Sequence, residues 1–282
     1  MARRDTTSEA TWGGDLPEVT PPSVDEDGVP SKCLSLTIRS DWGHFRRIDR
    51  TVTKQTYRLP PRTTIAGMLA AIAGVNRDGY YDIFAPDVSA MAITPVGEIR
   101  TVTMPTLGLG THPGETMADM GGTGQKTVKV KYPDSTDNRQ IHSYELLVNP
   151  AFRLDVAVED EQFYSVLKHR LETGTSFYPP SMGLSEYLAW IEDPREIEQI
   201  ERVDSTESVT VDSVIPDGAD EIVPQDGVSF DVERTPAFME ADERGRKTTG
   251  YADYAFSDRK KLKLRPNETT PVEVDGRTVV FH

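Results

Sequence analysis

The chain has 282 residues, enough for one large domain or two modest ones with a real hydrophobic core. Its 46 Asp and Glu outnumber its 31 Lys and Arg, and the formal charge of −15 excludes a generic polyanion binder with a uniformly basic surface. Because Arg outnumbers Lys by 21 to 10, the composition predicts a halophilic protein kept soluble in a salty cytoplasm, with an ordinary acidic cytosolic protein as the alternative.

Cysteine content and hydropathy exclude several classes of protein. Cys33 is the sole cysteine, which excludes an intrachain disulfide and a zinc site built from thiolates. No apolar run approaches the ~20 residues of a membrane span. Arg3 and Arg4 are not followed by the apolar segment of a signal peptide. We therefore expect a soluble, cytoplasmic protein.

The first predicted elements are an arm, a strand and a helix. Residues 1–31 are acidic and rich in proline, which predicts a disordered arm with no face to bury. From Leu34 to Ile38 apolar and polar residues alternate, as in a half-buried strand. A helix should follow, with Thr63 or Thr64 as its cap and with Gly74 at its end.

The middle of the chain predicts a second set of strands around a long loop. A strand is expected near 98–104, a glycine-rich loop over 105–124, and alternating residues predict a strand at 128–132. Residues 152–158 give the clearest strand pattern. A helix from Asp160 to a stop at Gly174 should follow, and then a strand within 185–203.

The order strand, helix, strand, strand, helix, strand predicts an α+β fold. It matches the split βαβ pattern of a ferredoxin-like, RRM-like (βαββαβ) domain, which we assign to residues 32–204. Residues 205–282 show only short strand patterns and are predicted to form a smaller, β-rich C-terminal lobe.

Positive charge is concentrated in two segments. Residues 39–62, here called the basic island, carry a net charge of +5, and residues 244–265 carry +6, whereas residues 192–243 carry −14. The island supplies aromatics for stacking, a glycine for close approach and guanidiniums for phosphates. The alternatives are that its arginines pair with nearby acids and that its aromatics are core residues. The residues predicted to bind RNA here are Arg39, Trp42, Gly43, His44, Phe45, Arg46, Arg47, Arg50, Lys54 and Arg62.

The sequence contains no convincing catalytic motif. The segment Gly121–Thr127 resembles a phosphate-binding loop, but Gln125 replaces the required glycine and no helix pattern follows. The five histidines show no metal-binding spacing. We therefore predict no catalytic residue, no metal and no cofactor. The alternative is a metal-independent ribonuclease site in which His44 acts beside Tyr57 and Lys54.

Five segments together resemble a known family. They are 36–38, 43–47, 57–74, 145–150 and 178–185. In this order they are similar to the signature of the fifth CRISPR-associated (Cas) family of RAMP proteins. The resemblance implies a ferredoxin-like RAMP domain and a subunit of a type I Cascade surveillance complex, of the haloarchaeal type I-B-like kind.

The resemblance also implies partners and a thumb. The chain would cap the 5′ handle of the CRISPR RNA (crRNA) and contact the large subunit and the backbone subunit, with target DNA near its PAM-proximal end. The family's thumb, an insertion that clamps RNA, matches residues 105–143, where Lys126, Lys129 and Lys131 are predicted to bind RNA. One subtype of the family cuts precursor RNA, but its catalytic residues have no clear match here. A non-catalytic role therefore leads, with a RAMP endoribonuclease and an adaptor that does not touch RNA as alternatives.

Overall fold

The computed structural model describes residues 19–47, 53–109, 139–203, 207–242, 245–257 and 259–282. These residues are mostly β structure, with two helices, α1 (Arg62–Ala73) and α2 (Glu161–Thr173). The strands of this part of the chain are β1 (Cys33–Arg39), β2 (Trp42–Gly43), β3 (Phe45–Arg46), β4 (Thr53–Lys54), β5 (Thr56–Tyr57), β6 (Ser89–Pro95), β7 (Thr101–Leu109), β8 (Arg139–Val148), β9 (Ala151–Val158), β10 (Trp190–Ile197), β11 (Ile200–Arg202), β12 (Val209–Val211), β13 (Ile215–Pro216), β14 (Asp231–Asp242), β15 (Gly245–Phe256), β16 (Leu262–Leu264), β17 (Pro271–Val274) and β18 (Arg277–Val280). Neither described helix has the length and apolar character needed to cross a bilayer.

The core is built on a four-stranded antiparallel sheet in the order β10–β1–β9–β6. Along the chain, its strands and the two helices follow one another as β1, α1, β6, β9, α2 and β10. One face carries alternate apolar residues, such as the register partners Leu36 and Leu154, and packs against Leu69 of α1 and Leu167 of α2. Burial of this face holds the sheet and both helices together.

The helix ends follow from their terminal residues. Gly74 ends α1 in the left-handed conformation, at φ 89°, and the glycine after α2 does the same. Asp160 caps α2, because its Oδ1 accepts a hydrogen bond from an amide of the first turn at 2.7 Å. The prediction that Thr63 or Thr64 caps α1 is wrong: both lie inside the helix, and Pro61 occupies the cap position without a side-chain hydrogen bond.

Two strand regions differ from the sequence prediction. The strand expected near 98–104 is β7, which continues to Leu109, so the predicted loop begins as a strand. Alternation does not reveal β6, because its first five residues are buried whichever face they occupy. The two longest strands of the C-terminal region, β14 and β15, form a hairpin, where the sequence predicted only short strands. The strand pattern at 128–132 lies outside the described residues.

The opposite face of the sheet is covered by β17 and β18, whose valines pack on Cys33 and Ala157. Asp155 is fully buried on this face, and its two carboxylate oxygens accept hydrogen bonds from Arg277 of β18 at 2.8 and 2.7 Å. The Ser35 hydroxyl donates to the same carboxylate. A buried charge is costly without its partner, so this ion pair fixes the last strand to the centre of the sheet.

The C-terminal region shares the core of the sheet. Ala237 of β14 and Tyr254 of β15 belong to the same buried cluster as Ile65 and Leu69 of α1. The boundary predicted near residue 204 therefore does not separate two hydrophobic cores. The hairpin covers α1, while β17 and β18 cover the other face of the sheet.

Strand β10 lies at one edge of the sheet and is irregular. Its pairing with β1 shifts register between Ser35 and Thr37. Asp193 takes a φ of 48° at this shift, and Pro194 follows it. This geometry is a β-bulge, in which one strand carries an extra residue.

Residues 19–31 contact the folded body, which corrects the predicted end of the arm. Val29 is buried in the cluster that includes Cys33. The Arg202 guanidinium forms an ion pair with Asp25 at 2.6 Å. Packing of Val29 and this ion pair order a segment whose composition alone predicts disorder, and residues 1–18 lie outside the described residues.

We expect residues 19–30 to contribute measurably to stability. A chain that begins at Ser31 should lose about 2 kcal/mol of unfolding free energy relative to a chain that begins at Val19, because the Val29 side chain loses its buried site. Urea denaturation of both chains at one salt concentration measures this difference. Equal midpoints and slopes would mean that the segment does not pack on the body.

Candidate nucleic-acid interface

The basic island lies against a long hairpin. β2 pairs with β8, β4 pairs with β8 in the parallel sense, and β3 pairs with β5. The other edge of β8 pairs with β7 along the whole length of β7. We call β7 and β8 the hairpin stem. The residues that join β7 to β8, 110–138, are outside the described residues, and so are residues 48–52 of the island.

Hydrogen bonds fix the island to this stem. The Thr56 amide donates to the Glu145 carboxylate at 3.2 Å, and His44 Nδ1 donates to the Glu145 carbonyl oxygen at 2.8 Å. The Thr56 hydroxyl accepts the Phe45 amide at 2.8 Å. These bonds join both ends of the short β3–β5 pair to one residue of β8.

A glycine lets a second loop close over the same segment. Gly183 has a φ of +92°, and a Cβ at this position would lie 2.1 Å from the His44 carbonyl oxygen. Its neighbour Met182 accepts the His44 amide at 3.0 Å. Only glycine fits here, because any side chain would have to displace the backbone of the island.

Arg46 and Arg47 are the exposed cations among the island's described residues, 39–47 and 53–62. Within the described residues neither forms an ion pair, and the Arg47 guanidinium lies 6.0 Å from the centre of the Tyr57 ring. Arg39 differs, since its Nε is 2.6 Å from a Glu192 carboxylate oxygen. Trp42 and Lys54 are half-buried. Among the predicted residues, the arginine pair is therefore the part best placed to meet a phosphate.

Other predicted contact residues are inside the protein. His44 and Phe45 are 1% and 2% exposed, and Gly43 is also buried, so none of them offers a surface for stacking. Phe45 instead packs its ring near Phe152 of the core. Burial lowers the pKa of His44, which keeps its ring neutral at neutral pH. Because their side chains are buried, the prediction that Gly43, His44 and Phe45 lie on the RNA-binding surface is corrected.

Arg62 is also corrected, because it is a structural residue. Its guanidinium is buried and donates to the carbonyl oxygens of Phe84 at 2.8 Å and His282 at 3.2 Å, and to the Ser89 hydroxyl at 2.7 Å. It also lies 4.3 Å from the centre of the Phe238 ring. Burial lowers the pKa of Arg62 to about 10, which still leaves it charged at neutral pH.

Arg58 holds the far end of the island in place. The amide of Arg58 donates to Glu233 of β14 at 2.8 Å, and its guanidinium pairs with Asp231 at 2.7 Å. Burial raises the pKa of Glu233.

Four of the residues predicted to bind RNA lie outside the described residues: Arg50, Lys126, Lys129 and Lys131.

Sequence patterns did not reveal two exposed aromatics, Tyr178 and Trp190, which are 51% and 54% exposed. Trp190 is the register partner of Arg39. The only sequence signal for either is an aromatic residue among prolines and acids, which also fits a buried position. Within the described residues no cluster of His, Cys, Asp and Glu could hold a metal ion.

A four-stranded antiparallel sheet, two helices on one face and an exposed arginine pair beside a long hairpin define a mostly β, RAMP-like protein. The family follows from the sequence of residues 33–261, which matches the family described as CRISPR-associated protein (Cas_Cas5). The chain belongs to this family, as the resemblance of its motifs implies.

The chain is similar to solved structures of CRISPR proteins. A CRISPR protein from Archaeoglobus fulgidus is similar at 16% identity and a TM-score of 0.50, over 88% of this chain and 98% of that chain. A chain of a CRISPR RNA-guided surveillance complex gives 14% identity and a TM-score of 0.45, over 88% and 91% of the two chains. None of the curated proteins compared with the chain matches its sequence.

The surroundings of Arg62 predict a pH dependence of stability. Burial, followed by the nearby Arg62 charge, lowers the pKa of His282 to about 4. Because this is below the unfolded value near 6.5, the folded state resists protonation, and stability present above pH 6.5 is lost as the pH falls.

Between pH 7 and pH 5 we expect His282 to account for a loss of about 2 kcal/mol of unfolding free energy. Denaturant unfolding at both pH values should show a smaller loss in His282→Gln. His169→Gln, which removes an exposed histidine, is the matched control and should behave like the parent. An unchanged loss in His282→Gln would contradict the assignment.

Proposed function

We propose that this protein is the RNA-binding subunit of a type I CRISPR Cascade surveillance complex in the cytoplasm. In this role it caps the 5′ handle of the crRNA and bridges the large subunit and the backbone subunit, near the PAM-proximal end of target DNA. Membership of the CRISPR-associated family supports the setting. The exposed Arg46–Arg47 pair supports RNA binding.

The architecture supports this proposal in two respects. The strand order 4-1-3-2, with all neighbours antiparallel and two helices on one face, fits the ferredoxin-like RAMP domain. The hairpin stem lies where the thumb was predicted, with its strands running into and out of residues 110–138. The β8 strand of this stem pairs with β2 and β4 of the basic island.

The single observation that carries RNA binding is the arginine pair. In a chain of charge −15, two adjacent exposed guanidiniums form no ion pair within the described residues. The backbone before them is fixed by hydrogen bonds that involve Glu145, Thr56 and Met182. Two guanidiniums on a fixed backbone can contact phosphates bidentately, and only their side chains have to be ordered on binding.

The ribonuclease alternative receives no support from the trio proposed for it. His44 is almost fully buried, and its Nε2, the ring nitrogen left free by the bond from Nδ1 to a backbone carbonyl, is buried as well. A general base must reach the proton that it removes. RNA retention without cleavage is therefore the outcome that we expect.

Arg46→Ala with Arg47→Ala should release crRNA from the purified protein while the fold is retained. Each charged hydrogen bond is worth about 1.5–3 kcal/mol, so affinity should fall at least tenfold. Filter binding with repeat-derived RNA and co-purification from cells both measure this. Arg234→Ala with Arg259→Ala removes the same charge elsewhere and is the control.

His44→Ala should lower stability but leave repeat RNA processing in cells unchanged. Cleavage of repeat RNA by the parent that is lost in this variant at normal protein levels would establish the ribonuclease reading. A parent that neither retains nor cleaves RNA would favour the adaptor.

Replacing residues 110–138 by a short Gly-Ser linker should leave a folded protein that no longer protects the 5′ handle from nuclease. The stem strands are kept, so β8 still supports the island.

Lys129→Glu with Lys131→Glu should weaken protection in the same direction, and more at low salt, where charge is unscreened. Full protection by the linker variant would leave the island as the only RNA contact and refute the thumb.

A further inference from the structure

A second concave surface lies beside α1. It is a groove of about 460 Å³ between the loop at residues 178–183 and the β14–β15 hairpin. Small residues of α1, Gly67 and Ala71, line one side, Tyr178 lines another, and Arg77 and Arg246 also face it. An apolar surface with a few polar groups at its rim is the usual composition of a ligand site.

The charge of this groove differs from that of the chain. None of the described residues that line it is Asp or Glu, although the chain has 46 acids. A larger concavity of about 550 Å³ elsewhere is lined by Glu198, Glu201 and Glu273, with no Lys or Arg among its described residues. Arg246 pairs with Asp78 at 3.1 Å, and Arg77 is exposed. Of these two concavities in the described part of the chain, the groove is the one suited to an anion.

Backbone and ring contacts hold Tyr178, the aromatic side of the groove, in place. The amides of Phe177 and Tyr178 donate to the carbonyl oxygens of Ile72 and Ala71 at 3.0 and 3.1 Å, which satisfies the end of α1. The Phe177 ring packs on Gly74, where a Cβ would be 2.8 Å away, and meets the Tyr178 ring edge-on at 4.8 Å. An exposed tyrosine held this rigidly can stack a base at little entropic cost.

The groove adjoins the basic island. Gly183 lines it, and a Cβ at Gly183 would meet the His44 carbonyl oxygen and the Phe45 ring, two residues and one residue before Arg46. The neighbouring Met182 carbonyl oxygen accepts the His44 amide at 3.0 Å. A strand bound over Arg46 and Arg47 would therefore meet this groove as it continues.

We propose that this groove binds one nucleotide of the single-stranded RNA, with the base on Tyr178 and the phosphate at Arg77 and Arg246. This inference rests on the proposed function, and it adds a site that the basic island does not contain. Aromatic stacking accepts any base, so the groove would hold the strand rather than read its sequence.

Fluorescence titration with single-stranded oligoribonucleotides of roughly 4 to 16 nucleotides tests the site. Tyr178→Ala should weaken binding about tenfold, in the range for one lost stack, and Tyr178→Trp should restore it. Arg77→Ala with Arg246→Ala should reduce the slope of log affinity against log salt by about 0.7 for each lost phosphate contact. An oligomer with a single 4-thiouridine should cross-link to Tyr178 under ultraviolet light. Arg234→Ala is the matched control for the arginines.

The outcomes separate the two proposals. If the parent binds RNA and loses it in the Arg46 and Arg47 variant, but the Tyr178 and Arg77 variants bind like the parent, the groove is not an RNA site and the proposed function stands. If the parent binds no RNA, the proposed function fails. Saturable binding of a mononucleotide that is unaffected by Tyr178→Ala and by Arg77→Ala with Arg246→Ala would place the nucleotide outside the groove, and would overturn the inference.

Discussion

The fold depends on the solvation of one buried guanidinium. Arg62 begins α1 and has no Asp or Glu partner within the described residues; its charge is stabilised by main-chain oxygens of Phe84, Ser89 and His282, by the Ser89 hydroxyl and by the face of Phe238. A buried charge without such partners would cost several kcal/mol. The start of α1, the segment before β6, the β14–β15 hairpin and the end of the chain must therefore assemble together. This constraint explains why the C-terminal region shares the core of the sheet.

The same assembly gives the exposed arginines a rigid base. The basic island has almost no core of its own, yet it is bonded to β8 through Glu145, to β14 through Glu233 and to a loop through the Met182 carbonyl oxygen. Each anchor comes from a different part of the chain. The loop that carries Arg46 and Arg47 is thus positioned by tertiary contacts, as binding loops on rigid scaffolds usually are.

Local patterns in the sequence were sufficient to predict strands and helices that show regular alternation or end at a capping residue. The strand at β1 and the helix that ends at Gly174 follow from alternation and from left-handed glycine. β6 could not be predicted in this way, because it is buried on both faces. The role of Arg62 also could not be predicted. An arginine in a basic segment looks the same in the sequence whether its guanidinium faces solvent or buried carbonyl groups, because the fold decides its environment. His44 was misassigned for the same reason.

The irregular edge of the sheet has a consequence for the protein in a crowded cell. A regular edge strand exposes a row of unpaired amides and carbonyls that can recruit a strand from another molecule. In β10 the bulge at Asp193 twists the backbone, Pro194 has no amide proton to donate, and charged side chains follow. These features oppose edge-to-edge aggregation of free subunits. The protein can therefore keep one side of its sheet open without polymerising through it.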